Sequence, residues 1–389
     1  MNLALVSAAY PPDRDGIGDY TWWMAKTLAE RDDIDKPVKV FTRTGGEHTP
    51  WDGVEVIPFF DRQRPRSFCE LARHLTADSP SPDWLILQYN PFGYGHRGFC
   101  PSVPRTLRLL GRRCPNMKIA VMFHEIATRE KGWRSAVMRV WQSVLARKLA
   151  YLANICFYST EAYLKSWRRT TELSRHLPAG SNLPDSLLTR EQARSALAIA
   201  PGTLVIGSFG TTHPSRQFHW MAEAARKLIS QGRTICFVAV GTGAESIQSL
   251  FSGIPFKAIE SPIPSKAAAA IKAFDIFLSP YTDGISTRRG SVIAALQHGI
   301  PVVTTETDET DAVFKDARDS ALIAVPAGDD SAFVAAVSEL ASNEGKRLSI
   351  GKGGLALFEK TFRWNAIADQ MLTALNNEQS ILEFVHASK

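Results

Sequence analysis

A chain of 389 residues is more than one ordinary hydrophobic core serves and suits two α/β halves of similar size. Its 44% apolar and 22% charged residues exclude a disordered chain, and its five cysteines, an odd number with no CxxC spacing, argue against a disulfide framework or a zinc site and for a reducing cytoplasm. The net charge of +6 is uneven: residues 1–185 hold 26 Lys/Arg against 19 Asp/Glu, and the remainder holds 19 against 20. An anionic partner for the first half is one reading of that excess, and a merely solvated basic surface is the other.

The chain opens on an apolar run, Leu3–Ala8, without a basic segment before it or a cleavage site after it. It reads as a first strand, not a signal peptide. A helix is expected over Tyr20–Arg31 and a strand over Val38–Thr42. Buried-strand runs follow at Trp84–Tyr89, Lys118–Phe123 and Ala153–Ser159, with helices over Pro104–Arg113 and Arg134–Tyr151 between them. The second half repeats the rhythm. Strands are expected at Thr203–Phe209, Thr234–Gly241, Ile276–Ser279 and Ile300–Thr304, and helices at Trp220–Ser230, Lys266–Ala273, Ser291–His298 and Ser331–Ala341. Such alternation predicts an α/β chain of two doubly wound, Rossmann-like domains with parallel sheets. The turn-rich segment from Pro178 to Pro184 marks the expected boundary. No apolar stretch approaches the roughly 20 residues that span a bilayer.

In doubly wound sheets ligands bind at the carboxyl ends of strands, so the loops there hold the candidate residues. Gly16 and Gly18, between Asp15 and Tyr20, let the backbone approach a ligand or simply make a turn. His124, at the end of an apolar run, is a hydrogen-bonding or proton-sharing candidate, or a satisfied wall residue. The segment Phe209-Gly210-Thr211-Thr212-His213-Pro214-Ser215-Arg216 joins glycine and small polar residues to one arginine that suits a diphosphate. Gly241 and Gly243 form a further turn. The richest loop runs Asp283-Gly284-Ile285-Ser286-Thr287-Arg288-Arg289-Gly290-Ser291 and leads into a helix. Its hydroxyls and arginines at a helix start suit an anion, and a solvated capped turn is the plainer reading.

Taken together and in order, these motifs resemble the GT-B glycosyltransferases, in particular the retaining family 4. The likeness runs from Pro11-Pro12 and Gly18-Asp19-Tyr20 through Phe123-His124-Glu125, Arg216 and Gly299-Ile300-Pro301 to Phe362-Arg363-Trp364. It implies an acceptor-side domain over 1–178, a nucleotide-sugar domain over 185–363 and a helix over 364–380 that crosses back, with the two domains facing a central cleft. It places Gly16 and Gly18 near the donor phosphates and His124 near the transferred sugar. Arg216 stands where the family usually has a lysine on the diphosphate. Thr211 stands where it usually has an arginine. The family's Glu-x7-Glu pair falls on Ser286 and Ala294, neither of them acidic, so Asp283 is the candidate to replace the first glutamate and Arg288 and Arg289 the missing cation.

The resemblance implies transfer of a hexose-type sugar from a nucleotide-sugar of unspecified base, with retention, to a saccharide or lipid-linked saccharide. Neither a metal nor another cofactor is expected, because fixed cations and backbone N–H groups suffice for a leaving diphosphate. A nucleotide-sugar epimerase and a non-catalytic nucleotide-sugar binder on the same fold remain alternatives. No nucleic-acid module is recognised. Trp133, Val137, Trp141, Val144 and Leu145 recur at helical spacing among basic residues. They read either as a core face or as a surface for anionic lipid, which would make the protein peripheral at the inner face of the cytoplasmic membrane.

Overall fold

The structure, a computed structural model, describes residues 1–387 apart from 14, 46–47, 78–80, 129–131, 168–172 and 262; at residues 65, 77 and 378–387 it describes the backbone alone. The chain divides into two units, Met1–Pro178 with Ile367–Lys389, and Ala179–Ala366.

The first unit contains β1 (Leu3–Ser7), α1 (Gly16–Ala29), β2 (Val38–Arg43), β3 (Val54–Phe60), α2 (Glu70–Ala77), β4 (Trp84–Tyr89), α3 (Pro91–Tyr94) and α4 (Ser102–Arg113). It continues with β5 (Lys118–Phe123), α5 (Trp133–Leu152), β6 (Ile155–Tyr158), α6 (Glu161–Trp167) and β7 (Ser174–His176). Its seven strands are parallel in the order β3-β2-β1-β4-β5-β6-β7. Every residue of β1 and β4 is buried, because helices cover both faces of the sheet and leave no polar side to these strands. Register then sets the site: Ser7 pairs with Gln88, and Tyr89 with Phe123. Gln88, Asn90 and His124 therefore gather at the carboxyl edge. Helix α1 starts four residues before the expected Tyr20, because the Asp15 carboxylate accepts from the Ile17 and Gly18 amides and caps it there.

The second unit contains α7 (Arg190–Ala196), β8 (Leu204–Phe209), α8 (Phe218–Ser230), β9 (Ile235–Val240), β10 (Phe256–Ile259), α9 (Pro264–Lys272), β11 (Ile276–Ser279) and α10 (Gly290–Gln297). After these come β12 (Val302–Glu306), α11 (Ala312–Asp316), β13 (Ile323–Pro326), α12 (Asp330–Ser342), α13 (Glu344–Leu357) and the start of α14 (Trp364–Ala387). Six parallel strands run in the order β10-β9-β8-β11-β12-β13. A separate apolar cluster covers each face of this sheet. Buried Asp275, just before β11, accepts from the Val205 amide and pairs with Arg190 and Arg194 of α7, which fastens that helix to the sheet. Trp364 is held in the same unit by its indole N–H, which donates to the Ser181 carbonyl at 2.7 Å.

Candidate functional site

In the second unit, three strand ends and one helix start converge. Phe209 pairs with Val240 in register, so the turns after β8 and β9 lie side by side. Their backbones touch so closely that a Cβ on Gly241 would lie 2.6 Å from the Gly210 carbonyl oxygen, and Gly241 has φ +117°. Only glycine fits both conditions. A Cβ on Gly243 would strike the Thr212 hydroxyl, and one on Gly210 would lie 3.0 Å from Arg216 Nη1 and 3.5 Å from Ser291 Cβ. Gly210, Gly241, Gly243, Arg216 and Ser291 thus form one neighbourhood. Thr211, at its rim, turns its carbonyl toward Arg216 Nη1 at 3.4 Å.

Arg216 is 7% exposed, an unusual place for a guanidinium. Its Nη1 donates to the Phe209 carbonyl at 2.9 Å, while buried Nε and Nη2 have no hydrogen-bond partner among the described residues. Burial is the main influence lowering its pKa, with Tyr281 acting in the opposite sense. Tyr281 is the residue that the sequence reading missed. Its ring lies 5.9 Å from the Arg216 guanidinium and 4.0 Å from that of Arg289. Its hydroxyl accepts from Ser279 at 2.9 Å and lies 3.1 Å from the Ser291 hydroxyl. Burial alone would raise the phenol's pKa. The Arg216 and Arg289 charges, with the Ser279 and Ser291 hydroxyls, outweigh burial and hold it below its ordinary value. That is the mark of a strongly positive locality. No motif announces a lone tyrosine two residues past a strand.

Asp283 pairs with Arg289 at 2.5 Å and with Arg288 at 3.4 Å, so its carboxylate orients the two arginines. Gly284, with φ +71°, carries the turn. Ser286 accepts the Arg289 amide on its carbonyl. No side chain caps α10, whose first residues are Gly290 and Ser291, and the helix start is open to an anion. One expectation needs correction. Thr287 is fully buried, and its amide and hydroxyl donate to Asp311 at 2.6 and 2.9 Å, so its polar groups are spent inside the fold. The arrangement can therefore hold a doubly charged oxyanion by fixed cations and a helix start.

In the first unit, a cavity of about 280 Å³ opens at the carboxyl ends of β1, β2 and β4. Asp13, Asp15, Arg43, Gln88, Asn90 and Phe92 are among the residues lining it. Asp13 accepts two bonds from Arg43, at 2.6 and 3.1 Å, and Asp15 is committed to the cap of α1. Arg14 between them lies outside the described residues. No group of three or more His, Cys, Asp or Glu residues among those described is placed to hold a metal. Gly18 packs where a Cβ would sit 3.2 Å from the Ala9 and Tyr10 backbone, whereas Gly16 faces open space. His124 is partly buried, with Nε2 2.8 Å from Gln88 Oε1 and its ring edge-on to Tyr20 at 4.7 Å. Desolvation lowers its pKa to about 3, so it is a neutral hydrogen-bonding group linked through Gln88 to the cavity wall.

Known proteins resemble this chain in sequence over one segment and in fold over nearly its whole length. Residues 200–343 match the family model described as glycosyl transferases group 1. Over that segment, which lies within the second unit, the chain is similar to the group 1 glycosyl transferases. No curated protein sequence matches it. Among solved structures, sucrose-phosphate synthase from Thermosynechococcus elongatus superposes with a TM-score of 0.73 at 16% identity, covering 100% of both chains. Anabaena HepE in complex with UDP and glucose gives 0.66 at 15% identity, covering 97% of this chain and 100% of that one. WaaG, a glycosyltransferase involved in lipopolysaccharide biosynthesis, gives 0.67 at 14%, covering 95% and 98%. These likenesses establish the fold, GT-B, and residues 200–343 add the sequence likeness to glycosyl transferases group 1.

Proposed function

We propose that this glycosyltransferase moves a hexose-type sugar from a nucleoside-diphosphate sugar to a saccharide or lipid-linked saccharide, with retention of configuration, in polysaccharide or glycoconjugate synthesis. The observation that carries the donor side is Arg216, a buried cation with two donors unpartnered among the described residues, beside the uncapped start of α10. Arg216, Arg288 and Arg289 with Ser291 stabilise the leaving diphosphate as its charge develops, and Gly210, Gly241 and Gly243 let it approach the backbone. Ser286 and Asp283 flank this group. Asp283 acts through the arginines it holds, which fits a reaction without a carboxylate nucleophile. His124, neutral at physiological pH, serves as a hydrogen-bonding group toward sugar, not as a charged acid. Gly16 and Gly18 open the first turn of α1 on the same side of the first unit's sheet. The cavity of that unit, with carboxylates, amides, a guanidinium and Phe92, has the mixed polar and aromatic lining that suits a polyhydroxylated acceptor.

The test is a thermal-shift series over nucleoside diphosphates, beginning with UDP because HepE was solved with it. One base should raise the midpoint by mass action at ligand concentrations well above its Kd. Release of that diphosphate from the matching sugar donor should then require an acceptor. No shift with any base would defeat the donor reading. Epimerised sugar without diphosphate release would replace transfer by epimerisation.

A further inference from the structure

Helix α5 is 20 residues long and buries one side only. Ser135, Gln142, Leu145, Ala146 and Leu149 face inward. On the opposite side Trp133, Val137, Val140, Val144 and Tyr151 follow one another at steps of four, three, four and seven, the period of a single helical stripe. All five are exposed, Trp133 by 73%, Val140 by 66% and Tyr151 by 71%. At about 1.5 Å per residue the stripe runs for roughly 27 Å. Within it, Trp133, Val137, Val140 and Val144 alone leave a continuous apolar row at the surface. The sequence expectation for this helix was half right: Leu145 belongs to the core and Trp141 donates its indole N–H to the Arg97 carbonyl, while Val140 and Tyr151 join the open face.

Charge says what covers it. Helix α5 carries Arg134, Arg139, Arg147 and Lys148 and no acidic residue. Its packing neighbour α4 carries Arg105, Arg108, Arg112 and Arg113, and again no acid. Both helices bury their inner sides in one cluster on the same sheet, Val103, Leu107 and Leu110 from α4 with Leu145, Ala146 and Leu149 from α5. Their outer sides therefore point away from that sheet together. Arg105, Arg108 and Arg112, exposed and spaced three and four apart, form a basic row beside the apolar one.

We propose that α4 and α5 form a docking surface for an anionic lipid bilayer. The stripe of α5 enters the boundary between headgroups and acyl chains, and the arginines of both helices meet the lipid phosphates. A second copy of the chain fits less well, since a two-fold contact would set eight basic residues against the same eight. A soluble polyanion would use the arginines and leave the valines and Trp133 without purpose. The inference uses no part of the donor site and stands or falls separately from it.

The experiment is flotation of the full chain with vesicles of neutral phosphatidylcholine and of phosphatidylcholine with 30% phosphatidylglycerol. Recovery with the anionic vesicles should exceed that with neutral ones at least tenfold and fall at 0.5 M salt, where screening shortens to a few ångströms. Val140→Asp with Val144→Asp should remove most of the binding. Arg105→Ala, Arg108→Ala and Arg112→Ala together should weaken it by about two orders of magnitude, at roughly fivefold per arginine. All these side chains are solvent-facing, so thermal midpoints and the nucleoside-diphosphate shift should match wild type. Should the aspartate variant misfold, the arginine variant decides alone. Equal recovery with both vesicle types overturns the proposal. So does undiminished binding by a folded variant, or a wild-type dimer that Val140→Asp dissociates.

Discussion

Replacing Arg216 by alanine separates two roles that a buried cation can have. In a structural role the guanidinium would be fully paired, and its loss would cost about 3–5 kcal/mol by stranding its partners. Here the pairing is thin: one good bond to the Phe209 carbonyl at 2.9 Å, a long one to Thr211, and two buried nitrogens with none among the described residues. Losing the bond to Phe209 costs about 1–2 kcal/mol, and removing an under-solvated charge returns a comparable amount. The unliganded stability of Arg216→Ala should therefore stay within about 1 kcal/mol of wild type in urea denaturation. The ligand tells the other half. Two charge-assisted bonds to phosphate oxygens, at about 1.5–3 kcal/mol each, correspond to a loss of at least a hundredfold in diphosphate affinity. Isothermal titration with the nucleoside diphosphate that stabilises the wild type measures this. A variant that loses more than 3 kcal/mol of stability yet keeps its affinity would refute the reasoning, because Arg216 would then be holding the fold.

His124 gives a pH dependence of known sign. Its folded pKa of about 3 lies below the ordinary 6.5, so the stability it contributes is complete above pH 6.5 and is lost as the pH falls from there toward 3. Between pH 6.5 and 5 the wild type should lose about 2 kcal/mol more than His124→Gln in urea titrations, and parallel curves would mean that the ring is solvated. Gly241→Ala combines a φ of +117° with a clash against the Gly210 carbonyl. It should cost about 2–3 kcal/mol and weaken diphosphate binding by displacing the Gly210 turn, and an unchanged urea midpoint would remove that account of the turn.

Legibility followed burial. The strands expected from apolar runs, such as Trp84–Tyr89 and Ile276–Ser279, are the inner ones, buried on both faces and hence apolar throughout. The strands that went unread are β3 and β7 at the edges of the first sheet and β10 and β13 at the edges of the second. Their patterns are weaker: β3 is only partly buried and contains Pro58, β7 is three polar residues, β10 is half-buried throughout, and largely buried β13 is only four residues long. In the donor group, Gly210, Gly241, Arg216 and Ser291 were legible because glycine turns and helix starts leave local signatures. Tyr281 and the pairing of Asp283 with Arg288 and Arg289 were not, since they arise from side chains meeting across loops. Thr287 read as a ligand-facing hydroxyl because sequence cannot say which way a turn residue points.

By itself the sequence determined two parallel α/β sheets, the loops that end their strands, and a basic first half. Periodicity and glycine placement are local, so they survive without knowledge of the partners. Only the tertiary structure decided which charges are free. It spent Asp15 on a helix cap, Asp13 on Arg43 and Thr287 on Asp311, and it left Arg216 buried with donors to spare. It also turned one side of α5 outward as an apolar row beside the arginines of α4. The physical reason is the same in each case. Whether a polar or apolar group is available to a ligand depends on what else reaches it, and those neighbours are remote in the chain.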